Sequence, residues 1–184
     1  MSWQRPNGPT WRELCSRGRV VLRVSCLALA LAVAQSQAQQ PYPLIGQAAP
    51  DFALRAAAGD NVRLSEHRGK VVVLSFWGSR CSSCRTQLEA LSRSLATYRS
   101  AGLEIFGIGV DDNLQQSRDF AGSMRLSFAM LIDPDKTAAR SYQVDNLPMT
   151  VLIDRNGTVR YALRDHSSAS DRLYLQELRV LLDE

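Results

Sequence analysis

The residues best suited to chemistry are two cysteines, Cys81 and Cys84, which are separated by two serines. A dithiol at this spacing can exchange a disulfide with another protein, because one thiol attacks and the second resolves the mixed disulfide. A purely structural bridge would close a very small loop and so restrict the unfolded chain little. A four-thiolate zinc site would need Cys15 and Cys26 as well, and these lie in a separate N-terminal segment. The spacing therefore favours redox chemistry.

The segments on either side of the cysteines are expected to hold them at the start of a helix. Val71–Trp77 is a nearly continuous apolar run, as in a central strand that is buried on both faces. Gly102 stands where a helix C-terminal cap is expected, and residues 103–110 are typical of a second strand. The apolar positions at helical spacing between them are Leu88, Leu91, Leu95 and Tyr98. The pattern predicts a β-α-β unit.

This placement activates Cys81. At the first turn of a helix, the sulfur faces backbone N–H groups without partners and the positive end of the helix dipole, which stabilise a thiolate. We expect the neighbouring Arg80 and Arg85 to lower the pKa of Cys81 further. Cys84, one turn later, can then attack a mixed disulfide on Cys81 and release the partner in reduced form.

The rest of the chain also alternates between helices and strands. The expected elements are a helix at 113–124, a strand at 128–132 ended by the Asp133-Pro134 turn, a short helix at 137–142, and hairpin strands at 149–153 and 158–163. Asn156-Gly157 in the hairpin turn favours positive φ. A last helix is expected to be capped by Ser170 and to run to about residue 183. Its apolar face contains Leu175, Leu178 and Leu182. The order of elements predicts one domain, a mixed-sheet α/β sandwich.

A second segment of interest, Leu147-Pro148-Met149-Thr150, immediately precedes the hairpin. The proline could simply mark the start of a strand. Alternatively, a cis Pro148 would bring its loop beside the dithiol and leave backbone groups free to pair with an extended substrate strand. The residues alone leave both interpretations open.

The first 38 residues are typical of a secretory signal peptide. Five arginines precede an 11-residue apolar run at 24–34, and Ser36 and Ala38 supply small side chains at positions −3 and −1 of a cleavage site. The run is shorter than the ~20 residues that span a bilayer, which disfavours the alternative of an uncleaved membrane anchor. We therefore expect export to the periplasm, with residues 39–184 as the mature domain and no membrane span after cleavage.

Removal of the leader changes the charge of the protein. The full chain has 22 basic and 18 acidic side chains and a net charge of +4, whereas residues 39–184 contain 17 of each. The mature domain therefore has no excess of positive charge with which to bind nucleic acid. Cys81 and Cys84 are the two cysteines that it keeps.

An ordered set of motifs resembles the thioredoxin superfamily and, within it, the exported TlpA/ResA-like thiol:disulfide oxidoreductases. The motifs are residues 46–52, Leu64 with Gly69-Lys70, residues 76–84, residues 109–111 and residues 147–154. They cover nearly the whole mature chain. The resemblance implies an α/β fold, the thioredoxin-like three-layer sandwich with a central mixed β-sheet. It implies Cys81 as the attacking thiol, Cys84 as the resolving thiol and Pro148 as a cis proline that faces them.

The resemblance also implies partners. Leu147, Pro148 and Trp77 are expected to form the substrate site, with Trp77 packed under the dithiol or, alternatively, only a core aromatic residue. Electrons would come from a membrane thiol reductant and pass to exported proteins, such as apocytochromes c or copper-site assembly factors. A reductase is favoured over an oxidase, and no cofactor is implied.

Some positions depart from the family pattern. Arg80 stands where relatives usually have an aromatic residue, and no proline lies between the cysteines. Relatives often place a buried carboxylate near the resolving cysteine, but the two corresponding positions here are Ser75 and Gln87. The acceptor of the Cys84 proton is therefore left open, with water as one candidate.

Two other functions remain as alternatives. A Cu(I) metallochaperone on this fold would use Cys81 and Cys84 with a histidine, and the chain offers His67 and His166. A thiol peroxidase would need Thr or Ser three residues before the reactive cysteine, where this chain has Gly78. We expect negligible turnover of peroxide.

Overall fold

A computed structural model describes residues 42–184, apart from the Ser168 side chain, and arranges them around a seven-stranded sheet. The predicted signal peptide lies outside the described residues. The strands are β1 (Ala53–Ala56), β2 (Asn61–Arg63), β3 (Val71–Trp77), β4 (Leu103–Gly109), β5 (Ala129–Ile132), β6 (Met149–Ile153) and β7 (Val159–Leu163). The α-helices are α1 (Ser82–Tyr98), α2 (Leu114–Ser123), α3 (Thr137–Ser141) and α4 (Ser168–Asp183), and 3-10 turns occupy Leu64–His67 and Arg99–Ala101.

The sheet is mixed and has the strand order β2-β1-β5-β4-β3-β6-β7. Strands β3, β4 and β5 are parallel, and the remaining neighbours pair antiparallel. Helices α1 and α4 pack on one face, where they bury Leu91, Leu95, Leu178 and Leu181. On the other face, α3 and residues 42–52, the segment before β1, cover Leu74, Phe76 and Phe106. These layers confirm the predicted α/β sandwich with a central mixed sheet.

The β-α-β unit that carries the cysteines forms as predicted. All seven residues of β3 are buried, because the strand lies in the middle of the sheet with helices on both sides. Helix α1 buries Leu88, Leu91 and Leu95 on the face turned to the sheet. The chain leaves this helix through a 3-10 turn that ends at Gly102, whose φ of 91° is the left-handed conformation expected of a helix-ending glycine.

The start of the last helix differs from the prediction. The N-cap residue is Ser167, whose hydroxyl accepts a hydrogen bond from the Ser170 N–H at 3.1 Å. Both serines suit a cap, so the choice depends on which one lets the following residues face the core. With the earlier start, Tyr174, Leu178 and Leu181 form the buried face, and the expected Leu175 and Leu182 flank it.

The two N-terminal strands and the hairpin turn also add to the predicted pattern. Strands β1 and β2 are short and largely exposed. Strand β2 forms the edge of the sheet, and β1 is held between β2 and β5. In the turn, only Gly157 has positive φ, while the Asp154 carboxylate accepts hydrogen bonds from the N–H groups of Asn156 and Thr158.

Within residues 42–184, the helices are too short or too polar to cross a membrane.

Candidate active site

The two cysteines form a disulfide at the start of α1. Strand β3 ends at Trp77, a turn follows, and Cys81 is the N-cap residue of the helix. The two sulfur atoms are 2.06 Å apart, and the two Cα atoms are 5.3 Å apart. Cys84 is 0 % exposed, whereas Cys81 is partly exposed. A partner in solution can therefore reach Cys81 but not Cys84.

The surroundings of Cys81 favour a thiolate once the disulfide is reduced. The sulfur lies at the positive end of a 17-residue helix, and the first turn of this helix contains no acidic side chain. The Ser83 hydroxyl is 3.7 Å from the Cys81 sulfur and can donate a hydrogen bond to it. The helix dipole and the Ser83 hydroxyl both stabilise the thiolate form of Cys81.

Asp111, just beyond the end of β4, holds the turn that leads into Cys81. Its carboxylate accepts hydrogen bonds from the Ser79 N–H at 2.9 and 3.1 Å, from the Ser79 hydroxyl at 3.0 Å and from the Ser117 hydroxyl at 2.9 Å. Ser79 is two residues before Cys81, and Ser117 lies on α2. A single side chain therefore joins the pre-cysteine turn to two other elements.

The two arginines near the dithiol have different surroundings. Arg80 is exposed, and its charge contributes to lowering the pKa of Asp112, although the hydrogen bond and charge of Lys136 are the larger causes. Arg85 instead lies over the ring of Phe120 on α2, with 4.9 Å between its guanidinium carbon and the ring centroid. Arg80 remains the candidate for tuning Cys81, whereas Arg85 links α1 to α2.

Trp77 packs in the same apolar cluster as Cys84, so it supports the dithiol from within the core. Its indole stacks on Phe120, with ring centroids 4.8 Å apart and 26° between the planes. The side chain is 0 % exposed. Direct contact with substrate, one of the expectations for Trp77, does not fit this burial. We therefore expect Trp77 to act on substrate through the dithiol that it supports.

The loop before β6 lies beside the pre-cysteine turn. The Leu147–Pro148 peptide bond is cis, as the resemblance implied. A Cβ atom on Gly78 would lie 3.2 Å from Leu147 Cδ1, so Leu147 packs directly against the turn. Pro148 is buried and Leu147 is partly buried. Within residues 42–184, the backbone N–H and C=O of Leu147 make no hydrogen bond, so a substrate strand could use both.

Three neutral polar side chains are buried on the side of the sheet that α1 covers. The Ser75 hydroxyl donates to Gln87 Oε1 at 3.1 Å, and Gln87 Nε2 donates to the Thr150 hydroxyl at 2.7 Å. Ser75 of β3 is also the direct cross-strand partner of Thr150 on β6. Gln87 lies one helical turn after Cys84 on the buried face of α1, whereas Glu89 is exposed. Ser75 and Gln87 occupy the two positions where relatives often have a buried carboxylate, and here these two residues are hydrogen-bonded to each other.

Each histidine faces a carboxylate. His67 Nδ1 is 2.9 Å from a Glu104 oxygen, and its ring packs on Phe106 with centroids 4.8 Å apart. His166 Nδ1 is 3.1 Å from an Asp171 oxygen but does not form a hydrogen bond with it. Residues 42–184 do not gather a histidine with the two cysteines into a metal-ligating group. The copper alternative thus gains no support from the arrangement.

A sheet of this topology with a CxxC disulfide at a helix N-terminus defines a thioredoxin-like thiol-disulfide exchange protein. The chain belongs to the AhpC/TSA family, whose model matches residues 45–162. It is 34 % identical over 127 residues to the thiol-disulfide oxidoreductase ResA of Geobacillus kaustophilus, covering 69 % of this chain and 73 % of the relative. ResA of Geobacillus thermodenitrificans is 35 % identical over 116 residues, covering 63 % of this chain and 67 % of the relative.

Solved structures agree with this assignment. A Chlorobium tepidum protein assigned as thiol:disulfide interchange protein DsbE superposes with a TM-score of 0.72 at 31 % identity, covering 75 % of this chain and 97 % of that chain. The thioredoxin-like fold and the resemblance to ResA-type thiol-disulfide oxidoreductases are confirmed.

Sequence reasoning missed the roles of some residues near the site. Asp111 stood in a family motif, but nothing in its neighbourhood along the chain indicated that it would bond to Ser79, 32 residues away. Phe120 lies in the helix expected at 113–124, but nothing in the sequence indicated that it would stack on Trp77. Thr150 was noted only as part of the proline segment. Its partner Gln87 is 63 residues away, so no local pattern could reveal the contact.

Proposed function

We propose that this protein is an exported thiol:disulfide oxidoreductase that reduces disulfides in other exported proteins. The observation that carries the proposal is the Cys81–Cys84 disulfide at the start of α1, with one sulfur accessible and the other buried. This asymmetry favours Cys81 as the attacking thiol and Cys84 as the resolving thiol, because a partner can contact only the exposed sulfur.

The reaction transfers two electrons from the dithiol to a substrate disulfide. The Cys81 thiolate attacks one substrate sulfur, and the other leaves as a thiolate that takes up a proton from solvent. Cys84 then loses its proton and attacks Cys81, which breaks the mixed disulfide and releases the second substrate sulfur. A membrane thiol reductant is the proposed donor that restores the dithiol by the same two steps in reverse.

The substrate is expected to bind as an extended strand along the Leu147–Pro148 loop. The backbone N–H and C=O of Leu147 can pair with the substrate backbone. Leu147 packs against Gly78 of the pre-cysteine turn, Trp77 lies in the same apolar cluster as Cys84, and Arg80 adds positive charge on the solvent side. Because the contacts are to backbone, such a site accepts several protein substrates.

The proposed location and partners are supported by the N-terminal sequence and by the family. The signal-peptide pattern at residues 1–38 supports export to the periplasm, with residues 39–184 as the working domain. Apocytochromes c and copper-site assembly factors are the proposed substrates, since these exported proteins need reduced cysteines.

The test is reduction of insulin disulfides with dithiothreitol as the donor. We expect turnover by the wild-type protein, loss of turnover in Cys81→Ser and in Cys84→Ser, and wild-type turnover in the matched control Ser82→Ala. Unchanged activity in both cysteine variants would refute the proposal. Hydrogen peroxide in place of insulin should not be consumed catalytically, and rapid consumption would favour the thiol peroxidase alternative.

The redox potential of the Cys81/Cys84 pair tests the direction. A value well below the ~−180 mV of disulfide isomerases supports a reductase, and one well above it indicates an oxidant. Substrates can be identified with Cys84→Ser, which should accumulate mixed disulfides on Cys81. The double variant Cys81→Ser/Cys84→Ser is the control and should trap no protein.

A further inference from the structure

An open groove, here called the α3 groove, lies next to the loop along which the substrate strand is expected to bind. It has a volume of about 480 Å³, and its lining includes residues of α3, of the segment that leads into cis Pro148, and Arg164 just after β7. Val144 and Asp145 belong to this lining and come three and two residues before Leu147. The groove therefore continues the path of the Leu147–Pro148 loop.

The fold places the α3 groove at the same end of the sheet as the dithiol. Strands β3 and β5 run parallel on either side of β4, so their carboxyl ends lie at one edge of the sheet. Cys81 follows β3 at this edge, and Lys136 of the groove follows β5. The hydrogen bond and charge of Lys136, with a smaller contribution from Arg80, lower the pKa of Asp112. Arg80, the residue before Cys81, is thus within electrostatic range of the groove.

The charges that line the α3 groove are mostly positive. Lys136, Arg140 and Arg164 face a single carboxylate of the lining, that of Asp145. Arg164 pairs with Asp145, with 3.4 Å between nitrogen and oxygen. Arg140 is exposed and forms no ion pair within residues 42–184, where its guanidinium donates to the Thr137 hydroxyl at 3.4 Å. The groove therefore has cationic groups available to an anion.

The backbone on both sides of α3 has an uncommon conformation. Lys136 and Gln143 are the two residues other than glycine that have positive φ within residues 42–184, with values of 53° and 48°. Both belong to the lining of the α3 groove. This conformation is unfavourable for a residue with a Cβ atom, and such residues concentrate at binding and catalytic sites. Glycine would relieve the strain at either position but would leave the groove without that side chain.

We propose that the α3 groove binds acidic side chains of the substrate polypeptide, on one side of the cysteine that Cys81 attacks. The inference rests on the proposed function and adds a sequence preference to it. A strand that pairs with Leu147 and extends past Asp145 brings its next residues to Lys136 and Arg140. Carboxylates in these residues can pair with the ammonium and guanidinium groups, which speeds the encounter and fixes the register of the strand.

The test follows the first chemical step alone, in the variant Cys84→Ser. Short peptides with one cysteine are prepared as mixed disulfides with 5-thio-2-nitrobenzoate. The Cys81 thiolate attacks the peptide sulfur and forms a disulfide with it, and 5-thio-2-nitrobenzoate leaves with the electron pair as a coloured thiolate. Each rate is divided by the rate of the same peptide with glutathione, because acidic residues repel any attacking thiolate. The resulting relative rate measures recognition by the protein.

Four peptides carry two glutamates or two glutamines, either before or after the cysteine. Because the groove lies to one side of the dithiol, we expect glutamates to raise the relative rate on one side only, by about fivefold, as a few exposed ion pairs would. The gain should disappear between about 0.01 M and about 1 M salt, where the Debye length falls from about 30 Å to about 3 Å. No gain, or an equal gain on both sides, would overturn the proposal.

Substitutions in the groove should remove this gain. We expect Arg140→Gln to reduce it about twofold and Arg140→Glu to abolish it. Lys136→Asn removes the second cation and keeps the backbone, because asparagine tolerates positive φ, and it should also reduce the gain. The matched control is Lys70→Gln, which removes one exposed positive charge just before β3, at the opposite end of the sheet. It should keep the full gain, and a loss equal to that in Arg140→Gln would overturn the proposal.

The same measurements distinguish this proposal from the function on which it rests. Failure of Cys81 to react with any peptide would refute the proposed exchange activity, whereas equal relative rates for all four peptides would overturn only the acidic preference. Lysines in place of the glutamates should slow the reaction on the side of the groove. A faster reaction would mean that the carboxylates of Asp112, Asp135 and Asp145 dominate this surface, and it would overturn the proposal.

Discussion

Asp111 shows how one side chain can organise a redox site without touching the sulfur atoms. Its carboxylate accepts four hydrogen-bond contacts from Ser79 and Ser117, so the turn before Cys81 is held by the end of β4 and by α2. Bonds of this kind to an ionised group are stronger than those between neutral groups. The position of Cys81 at the start of α1 therefore depends on a residue outside the CxxC motif.

Asp111→Asn is expected to loosen this turn. The amide removes the charge and turns an N–H group toward the serine N–H and O–H groups that now donate to Asp111. This should lower the free energy of unfolding by about 2 kcal/mol. The rate at which Cys81 of the reduced protein reacts with 5,5′-dithiobis(2-nitrobenzoate) should change as well. Urea unfolding and stopped-flow absorbance measure the two effects. The control Asp135→Asn removes the same charge from an exposed turn, and an equal effect in both variants would contradict the role of Asp111.

At the scale of elements, two glycines of strand β4 leave space for the Trp77 ring. A Cβ atom at Gly109 would lie 2.6 Å from the Trp77 ring, and one at Gly107 would lie 2.6 Å from the Met130 sulfur. Neither glycine has positive φ, so their role is to leave space and not to permit an unusual backbone. The indole can therefore lie close to β4 while α2 brings Phe120 onto it.

Gly109→Ala should displace Trp77 and destabilise the protein by about 1–3 kcal/mol, the usual result of overpacking a core. Tryptophan fluorescence and urea unfolding would detect the change, and a shift in the redox potential should accompany it because Trp77 supports the dithiol. Gly122→Ala is the matched control on α2. No atom lies within 4 Å of a Cβ there, so the same substitution should stabilise the helix by about 0.5–1 kcal/mol. Destabilisation of equal size at both positions would contradict the packing argument.

At the scale of the whole molecule, two tyrosines attach residues 42–52, the segment before β1, to the rest of the domain. The Tyr42 hydroxyl donates to the backbone carbonyl of Tyr142 at 2.6 Å, and the Tyr142 hydroxyl donates to the carbonyl of Pro50 at 2.9 Å. Burial raises the pKa of Tyr42 to about 12, partly opposed by the charge of Arg164, and burial also raises the pKa of Tyr142. Both phenols are thus held in their neutral form.

This arrangement predicts a loss of stability in alkali. In the unfolded chain the phenols ionise near their ordinary pKa of 10.0, whereas in the folded protein they keep their protons to higher pH. The free energy of unfolding should therefore be constant below about pH 9 and fall as the pH rises above 10. Tyr142→Phe should cost about 1 kcal/mol at neutral pH through its lost hydrogen bond and should make the alkaline decline less steep. Urea unfolding from pH 7 to 11 measures both, and an unchanged decline in the variant Tyr42→Phe/Tyr142→Phe would contradict the assignment.

Much of this fold was predictable because its central elements have strong local patterns. The apolar run of β3, the helical spacing in α1 and the glycine at 102 each depend on residues close together in the chain. Strands β1 and β2 were not predicted, because they are short and depend on pairing with each other and, through β1, with β5. The cap of α4 was displaced by three residues, since Ser167 and Ser170 are equally suitable until the helix packs on the sheet.

The amino-acid sequence by itself determined the CxxC dithiol, its place at the start of a helix and the class of exchange chemistry, because all three depend on neighbouring residues and their periodicity. Tertiary structure decided which cysteine is accessible to a partner, that Phe120 stacks on Trp77, and that Asp111 holds the turn before Cys81. It also joined Ser75, Gln87 and Thr150 from three elements into one buried group. Such contacts join residues far apart in the chain, and they form only when strands and helices pack against one another and exclude water.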